Sequence, residues 1–315
     1  MTKTILAFYH LAPLGLDALE KEFRVIKLWQ EQDPEETIQR YRDSAVGIIC
    51  WPNTPPISRR VIEALPNLEI ISQFGVGYDN IDIEAARQRE VVVCNTPDLV
   101  TNDTADTALG LMLMVARRFV EADAYIRVGK WEVGGSPKGF LGHRLYGKTV
   151  GIVGLGRIGA AISKRAEAFG CTIKYTGRSP KDAPYEFVQN IKELAQQSDF
   201  LVLSCSATPK TIGVVNLEVM EALGPQGYLV NISRGSVVNE EDLLIALRNK
   251  SIAGAGLDVF EKEPYVPEAM KTMDNVVLLP HIGTATYETR AEMAKLVIEN
   301  IRLWFQRGET LTRVV

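Results

Sequence analysis

Short apolar runs alternate with amphipathic segments in the first hundred residues. The apolar runs predict five strands, at Ile5–Tyr9, Val25–Trp29, Ala45–Cys50, Leu68–Ser72 and Val91–Cys94. Segments with helical spacing lie between them. The helix after Asp33 is the clearest, because it has a capping residue, a proline at its first position and acids in its first turn. Strands that alternate with helices in this way predict a doubly wound parallel sheet.

The second half repeats the alternation and predicts a second parallel sheet. Its strands are predicted at Val150–Val153, Thr172–Thr176, Phe200–Ser204, Tyr228–Ile232, Ala255–Val259 and Val276–Leu279. A helix at about 102–118 precedes them and is apolar nearly all round, which suits burial between domains or subunits, or in the core of one domain. Residues 119–148 indicate a loop-rich segment, in which His143 is expected at the surface.

Composition limits the classes of function. The chain has 315 residues, which suggests two domains, and its net charge of −4 without a basic block argues against nucleic-acid binding. The four cysteines are far apart and lie in apolar contexts, which indicates buried free thiols in a reducing cytoplasm and no metal site. No signal-peptide pattern or membrane-spanning run is present, so we expect a cytoplasmic protein.

A glycine-rich loop follows the strand at 150–153. In Gly154-Leu155-Gly156-Arg157-Ile158-Gly159, the first glycine permits a tight turn, the second leaves room for a pyrophosphate, and the third allows close helix packing. The N-terminus of the following helix favours an anion. Because a strand and a helix flank the glycines, the pattern predicts a dinucleotide site; an ordinary glycine-rich turn is the alternative.

The end of the next strand indicates which dinucleotide binds. NAD-binding units carry an acid there for the ribose 2′-hydroxyl, whereas this chain has Thr176-Gly177-Arg178-Ser179 and no acid before Asp182. The guanidinium of Arg178 and the hydroxyl of Ser179 suit a 2′-phosphate. The sequence therefore predicts NADP(H). In the alternative, Arg178 stacks on adenine or lies in solvent, and the protein discriminates poorly between NADP(H) and NAD(H).

A second loop, Phe74-Gly75-Val76-Gly77-Tyr78-Asp79-Asn80, directly follows a strand of the first sheet. Ligands of such sheets bind beyond the carboxyl ends of the strands. The two glycines would let backbone amides point at a small carboxylate. A plain turn, with Asn80 or Asp79 as a helix cap, is an equal alternative.

Three polar residues follow predicted strands of the second sheet: Arg234, Glu263 and His281. Reduction of a 2-keto acid needs a cation for the carboxylate and carbonyl, which suits Arg234, and a proton donor, which suits an imidazolium at His281. Glu263 would orient that ring and favour its protonated form. The alternatives are a core histidine with its hydrogen bonds satisfied, and an arginine that caps a helix or forms a salt bridge.

Five stretches together carry a family resemblance. They are Gly75-Val76-Gly77-Tyr78-Asp79-Asn80-Ile81-Asp82, Val153-Gly154-Leu155-Gly156-Arg157-Ile158-Gly159, Asn231-Ile232-Ser233-Arg234-Gly235, Gly256-Leu257-Asp258-Val259-Phe260 with Glu263-Pro264, and Leu279-Pro280-His281-Ile282-Gly283. In this order and spacing they resemble the D-isomer-specific 2-hydroxyacid dehydrogenases over essentially the whole chain. The segment 176–179 is similar to that of the NADPH-preferring glyoxylate/hydroxypyruvate reductases of the family.

The resemblance implies a role for each matching residue. Arg234, Glu263 and His281 would be the catalytic residues, and the amides of Val76 and Gly77 would hold the substrate with Arg234 and His281. The implied cofactor-binding residues are Thr104, Gly154, Leu155, Gly156, Arg157, Ile158, Gly159, Gly177, Arg178, Ser179, Ile232, Asp258 and Gly283. Among these, Asp258 would bind the nicotinamide carboxamide and Thr104 would lie near the nicotinamide.

The resemblance also implies an architecture and a reaction. Residues 1–100 and 285–315 would form a flavodoxin-like substrate-binding domain, and residues 101–284 a Rossmann dinucleotide-binding domain. The last helix, at about 287–307, would return to the first domain, and a homodimer would form around the helix at 102–118. The loop at 131–146 matches poorly, so no substrate-selecting role is transferred to Trp131 or Phe140.

The expected activity is NADPH-dependent reduction of glyoxylate or hydroxypyruvate to the D-2-hydroxy acid. Two alternatives stay open. One is an NAD-linked dehydrogenase for a bulkier or phosphorylated acid, which a basic substrate pocket would mark. The other is a dinucleotide-sensing binding protein similar to the corepressors that share this fold. The presence of Arg234, Glu263 and His281 together argues against it.

Overall fold

The computed structural model describes residues 3–12, 14–131 and 139–315. The chain divides into two compact units, one formed by Met1–Val100 with Thr284–Val315 and the other by Thr101–Gly283. Each unit contains one parallel sheet with helices. The predicted fold class, α/β with two doubly wound parallel sheets, is confirmed.

The first unit contains a five-stranded sheet. Its strands are β1 (Thr4–Ala7), β2 (Arg24–Lys27), β3 (Ala45–Cys50), β4 (Ile70–Gln73) and β5 (Val92–Cys94), in the order β2-β1-β3-β4-β5. This is the flavodoxin-like order, in which ligands bind at the carboxyl ends of the strands. Its helices are α1 (Asp17–Glu20), α2 (Pro34–Arg40), α3 (Arg59–Ala64), α4 (Ile83–Gln88) and the C-terminal helix Tyr287–Arg307.

Helix caps explain where two of these helices start. The carboxylate of Asp33 accepts a hydrogen bond from the amide of Glu36, 2.9 Å away, and Pro34 opens α2 as the sequence predicts. Helix α4 starts after the residues that the sequence offered as its cap. Its cap is Asp82, which accepts from the amide of Ala85 at 2.8 Å, so the expectation that Asn80 or Asp79 caps it is wrong. The side chain of Asn80 instead contacts the strand ends.

The second unit contains a seven-stranded sheet. Its strands are β6 (Thr149–Val153), β7 (Thr172–Thr176), β8 (Glu186–Phe187), β9 (Phe200–Leu203), β10 (Tyr228–Asn231), β11 (Gly254–Leu257) and β12 (Val276–Leu278), in the order β12-β11-β10-β9-β6-β7-β8. This is the Rossmann order with one added strand, and the direction of winding reverses between β6 and β9. Its helices are α5 (Thr101–Arg117), α6 (Phe119–Arg127), α7 (Arg157–Ala168), α8 (Ile191–Gln196), α9 (Leu217–Leu223) and α10 (Glu240–Arg248).

Helix α5 is part of the core of the second unit. Its residues Ala108, Leu111 and Met112 are fully buried and belong to the same apolar cluster as the strands β6, β9 and β10. A Cβ at Gly256 would come within 2.9 Å of Leu111, so the lack of a side chain at Gly256 allows α5 to pack closely on β11. Of the two interpretations of this helix, the structure supports the core helix. No helix in the described ranges is long and apolar enough to cross a membrane.

Helix α6 was not predicted, because residues 119–148 were expected to form a loop-rich segment. It has no buried residue, and its apolar residues Phe119, Val120 and Ile126 are exposed, so it is not a helix that faces the core of this chain. The short strand β8 and helix α8 were also missed. Strand β8 has only two residues, too few to show an alternation of apolar and polar positions.

Candidate active site

Three neighbouring strands of the second unit carry the predicted catalytic residues. Strand β11 lies between β10 and β12, and all three are parallel. Arg234 follows β10, Glu263 follows β11 and His281 follows β12. Because the carboxyl ends of parallel strands meet at one edge of the sheet, the fold brings residues from distant parts of the sequence to the same edge.

His281 and Glu263 form a direct pair. The Nδ1 atom of His281 lies 2.7 Å from the Oε2 atom of Glu263, and both side chains are largely buried, with 20% and 15% of their surfaces exposed. The other carboxylate oxygen of Glu263 accepts a hydrogen bond from the amide of Phe260 at 3.0 Å. Glu263 thus fixes the orientation of the imidazole.

The backbone around Arg234 is held by a buried asparagine. The side chain of Asn231 donates to the carbonyl oxygen of Arg234 at 2.9 Å and accepts from the amide and hydroxyl of Ser233. The Nη1 atom of Arg234 donates to the carbonyl oxygen of Ser233 at 2.9 Å. Ile232 is buried in the same turn. Sequence reasoning did not single out Asn231, although a polar residue within an apolar strand was the signal for it.

Asp258 fixes the segment that carries His281. Its two carboxylate oxygens accept hydrogen bonds from the amides of Ile282 at 2.7 Å and Gly283 at 2.8 Å, and its carbonyl accepts from the amide of His281. Burial raises the pKa of Asp258, whereas the two amide hydrogen bonds and nearby His281 oppose that rise. A Cβ at Gly283 would lie 2.9 Å from this carboxylate and 3.8 Å from Thr104. Thr104, Asp258 and Gly283 are therefore neighbours.

The glycine loop has three different steric environments. Gly154 has a φ of +98°, and Gly159 packs so closely that a Cβ would lie 2.3 Å from the carbonyl oxygen of Gly154 and 3.1 Å from Ile152 of β6. At Gly156 a Cβ would meet no protein atom within 4 Å. Helix α7 begins at Arg157, directly after this open position. The loop thus leaves free space at the N-terminus of a helix, where a pyrophosphate would fit.

Gly177, Arg178 and Ser179 follow β7, the neighbour of β6, and all three are exposed. In the described part of the chain Arg178 forms no ion pair. Beyond it, the amide of Lys181 donates to the hydroxyl of buried Tyr175 at 2.7 Å, which fixes the course of the segment. Arg178 is thus available to an anion at the end of β7.

The loop after β4 presents amides in the first unit. Its carbonyl oxygens are occupied, because Asn95 donates to Val76 and Gln73 donates to Gly77, each at 2.9 Å. Asn80 accepts from Gln73 and donates to the carbonyl oxygen of Trp51. The amides of Val76 and Gly77 donate to no acceptor among the described residues. Sequence reasoning missed Gln73 and Asn95, which are buried polar residues at strand ends.

Other predicted features lie outside this arrangement. His143 is exposed, as expected, and its Nδ1 atom lies 2.7 Å from the hydroxyl of Tyr228. Trp131 is exposed, Phe140 contacts the ring of Tyr125, and residues 132–138 lie outside the described residues. No group of three metal-ligating side chains occurs in the described ranges.

Comparison with known proteins decides the family. The model of the D-isomer-specific 2-hydroxyacid dehydrogenase NAD-binding domain matches residues 109–283. The chain belongs to this family. A glyoxylate/hydroxypyruvate reductase A of Arabidopsis thaliana is 44% identical over 298 residues, which are 94% of each chain. A hydroxyphenylpyruvate reductase of Plectranthus scutellarioides has the same identity and coverage.

The architecture of this D-2-hydroxyacid dehydrogenase also matches a solved structure. The NADPH-dependent glyoxylate/hydroxypyruvate reductase of Sinorhizobium meliloti, in complex with NADP and malonate, aligns with a TM-score of 0.89. It is 39% identical in sequence, and the alignment covers 100% of this chain and 97% of that one. The predicted family and its reductase subgroup agree with these relatives.

Proposed function

We propose that this D-2-hydroxyacid dehydrogenase reduces a small 2-keto acid, of the glyoxylate or hydroxypyruvate type, to the D-2-hydroxy acid with NADPH. The observation that carries the proposal is the largely buried pair of His281 and Glu263 at 2.7 Å. Glu263 follows β11 and His281 follows β12, beside β10, which leads to Arg234. A proton donor and a cation at one sheet edge suit a carbonyl that becomes an alkoxide. The glyoxylate/hydroxypyruvate reductases among the relatives support the choice of substrate.

His281 and Arg234 divide the work on the keto acid. Arg234 binds the carboxylate and polarises the carbonyl, so that negative charge on the oxygen is stabilised as the carbonyl is reduced. The imidazolium of His281 donates its Nε2 proton to that oxygen, because Nδ1 faces Glu263. Glu263 stays beside the ring and holds it in position. In the reverse direction the neutral imidazole accepts the proton from the hydroxy acid.

The cofactor assignment rests on the fit of three segments. A reduced nicotinamide supplies the hydride when bound. Residues 154–159 would hold the pyrophosphate, since the space at Gly156 is open, and Asp258, Gly283, Thr104 and Ile232 would surround the nicotinamide. Gly177, exposed Arg178 and Ser179 would hold the 2′-phosphate. The NADP-bound relative from Sinorhizobium meliloti supports this choice.

The proposed substrate loop belongs to the first unit, and the proposed dinucleotide site belongs to the second unit. Amides of Val76 and Gly77, left open by the hydrogen bonds that hold their carbonyls, would bind the substrate carboxylate. The proposed contacts bind the carboxylate and the carbonyl and therefore do not decide the size of the keto acid's side chain. The hydroxyphenylpyruvate reductase of equal identity favours a bulkier aromatic acid as the second candidate.

The active molecule is a homodimer in this proposal. Exposed apolar side chains cluster in sequence on and around α6 rather than on α5: Phe119, Val120, Ile126, Val128, Trp131, Leu141 and Tyr146. Leu141 is 93% exposed, an unusual position for a leucine unless another surface covers it. Light scattering tests the assembly, because a mass near the 34.9 kDa of one chain would contradict it.

A panel of keto acids, assayed with NADPH and with NADH, tests the function. We expect turnover of glyoxylate and hydroxypyruvate that exceeds turnover of hydroxyphenylpyruvate, and His281→Asn should abolish it while NADPH still binds. An active His281→Asn variant would refute the role of His281. If the wild-type protein binds NADPH but turns over none of the acids, the dinucleotide-sensing protein becomes the better account.

A further inference from the structure

Two contacts join the connection after β10 to the segment that carries Glu263. A Cβ at Gly235 would lie 1.9 Å from the carbonyl carbon of Phe260 and 2.3 Å from the amide nitrogen of Glu261, so the two backbones touch. At the same peptide, the Oε1 atom of Glu240 accepts a hydrogen bond from the amide of Glu261 at 3.2 Å. Phe260 is also buried, which restricts movement of the peptide.

The adjoining peptide, Val259–Phe260, leads to the catalytic pair. The amide of Phe260 donates to one oxygen of Glu263, and the other oxygen of Glu263 contacts Nδ1 of His281. A path of direct contacts thus runs from Glu240 through residues 260–261 to Glu263 and His281. We infer that Glu240 is a positioning residue, which fixes the Phe260–Glu261 peptide and thereby keeps the carboxylate of Glu263 on the imidazole of His281.

The alternative role of Glu240 is local to its helix. Glu240, Glu241 and Asp242 form the first turn of α10, where acids stabilise any helix through its dipole. Glu241 shares that role but is exposed, and it forms no hydrogen bond with the described residues outside its helix. Glu240 differs because it is partly buried and accepts a hydrogen bond from the Phe260–Glu261 peptide. Glu241→Ala is therefore a matched control for the helix effect.

The chemistry of Glu240 permits a conservative variant. Burial raises the pKa of Glu240, and the hydrogen bond from Glu261 opposes that rise, so a neutral acceptor is well tolerated there. Glu240→Gln keeps an oxygen that accepts from the amide of Glu261. Glu240→Ala removes the acceptor and leaves that amide without its partner, which allows the peptide to move. The charged groups near this carboxylate are Glu261 and Lys262, and those near His281 are Glu263 and Asp258.

The test follows the His281 ring directly and uses no substrate. The chain has three histidines, so the imidazole NMR signals can be assigned with His281→Asn and followed over pH. We expect the titration midpoint of His281 to move to lower pH in Glu240→Ala, because the imidazolium loses part of its contact with Glu263. Glu240→Gln and Glu241→Ala should titrate like the wild-type protein.

Kinetics provide the second measurement and separate this inference from the proposed function, on which it rests. In Glu240→Ala, kcat should fall about tenfold, a part of the roughly 10²–10⁴-fold effect of a positioned general acid, with KM for NADPH nearly unchanged. Glu240→Gln should restore kcat. The inference would be overturned if Glu240→Ala kept the His281 titration midpoint and the kcat of the wild-type protein. It would also be overturned if Glu241→Ala changed both quantities as much as Glu240→Ala does. If no keto acid is reduced, the proposed function fails, while the NMR titration still tests Glu240.

Discussion

Replacing Arg178 with alanine tests the choice of cofactor. NADPH and NADH differ only in the 2′-phosphate, so a side chain that binds this group must act on one cofactor and not on the other. Arg178 is exposed at the end of β7 and forms no ion pair with the described residues. Its guanidinium would therefore lose few contacts within the protein when it binds a phosphate.

The exposure of Arg178 sets the expected magnitude. Hydrogen bonds to charged groups contribute about 1.5–3 kcal/mol when they are shielded from water. Solvent and salt weaken an exposed contact, so we expect about 1.4 kcal/mol, which corresponds to roughly a tenfold rise in the Kd for NADPH. The Kd for NADH should change less than about twofold, because no phosphate is lost. The tenfold effect should also shrink as ionic strength rises.

Fluorescence titration with both cofactors measures these Kd values, and steady-state kinetics gives the matching KM values. Lys181→Ala is the matched control, since Lys181 is an exposed cation in the same segment, whose backbone is held by Tyr175. If binding of NADPH depended only on the positive charge of this segment, both variants would bind NADPH equally weakly. Equal effects of Arg178→Ala on NADPH and NADH would refute the assignment of Arg178 to the 2′-phosphate.

Two further predictions concern the glycine loop and the thiols. Gly156→Ala should keep the melting temperature but weaken dinucleotide binding at least about tenfold, because its Cβ fills only open space, whereas Gly159→Ala should lower the melting temperature. Calorimetry with and without NADPH separates the two, and unchanged binding in Gly156→Ala would contradict the pyrophosphate site. Burial raises the pKa of Cys94, Cys171 and Cys205 to about 11, so their alkylation should accelerate about tenfold per pH unit up to that pH. Fast alkylation of the native protein at pH 7 would show that these thiols are accessible.

Local sequence signals determined much of the secondary structure. Strand β7 begins and ends where the sequence predicts, because its apolar residues, bounded by polar ones, indicate burial within a single element. Asp33 and Asn239 mark helix starts for the same local reason, since each side chain caps an amide three residues later. Helix α6 shows the limit of this approach. Its apolar residues are exposed, so the burial of this helix could not be used to recognise it.

The glycine spacing and the order of the motifs determined, from the sequence alone, that this protein has a dinucleotide loop and belongs to its family. Only the tertiary structure decided that Glu263 contacts His281 and that Glu240 contacts the Phe260–Glu261 peptide. Such contacts depend on the order of β10, β11 and β12 in the sheet and on the packing of their connections. Periodicity along a chain carries information about burial within one element, whereas distances between elements arise when several elements pack together.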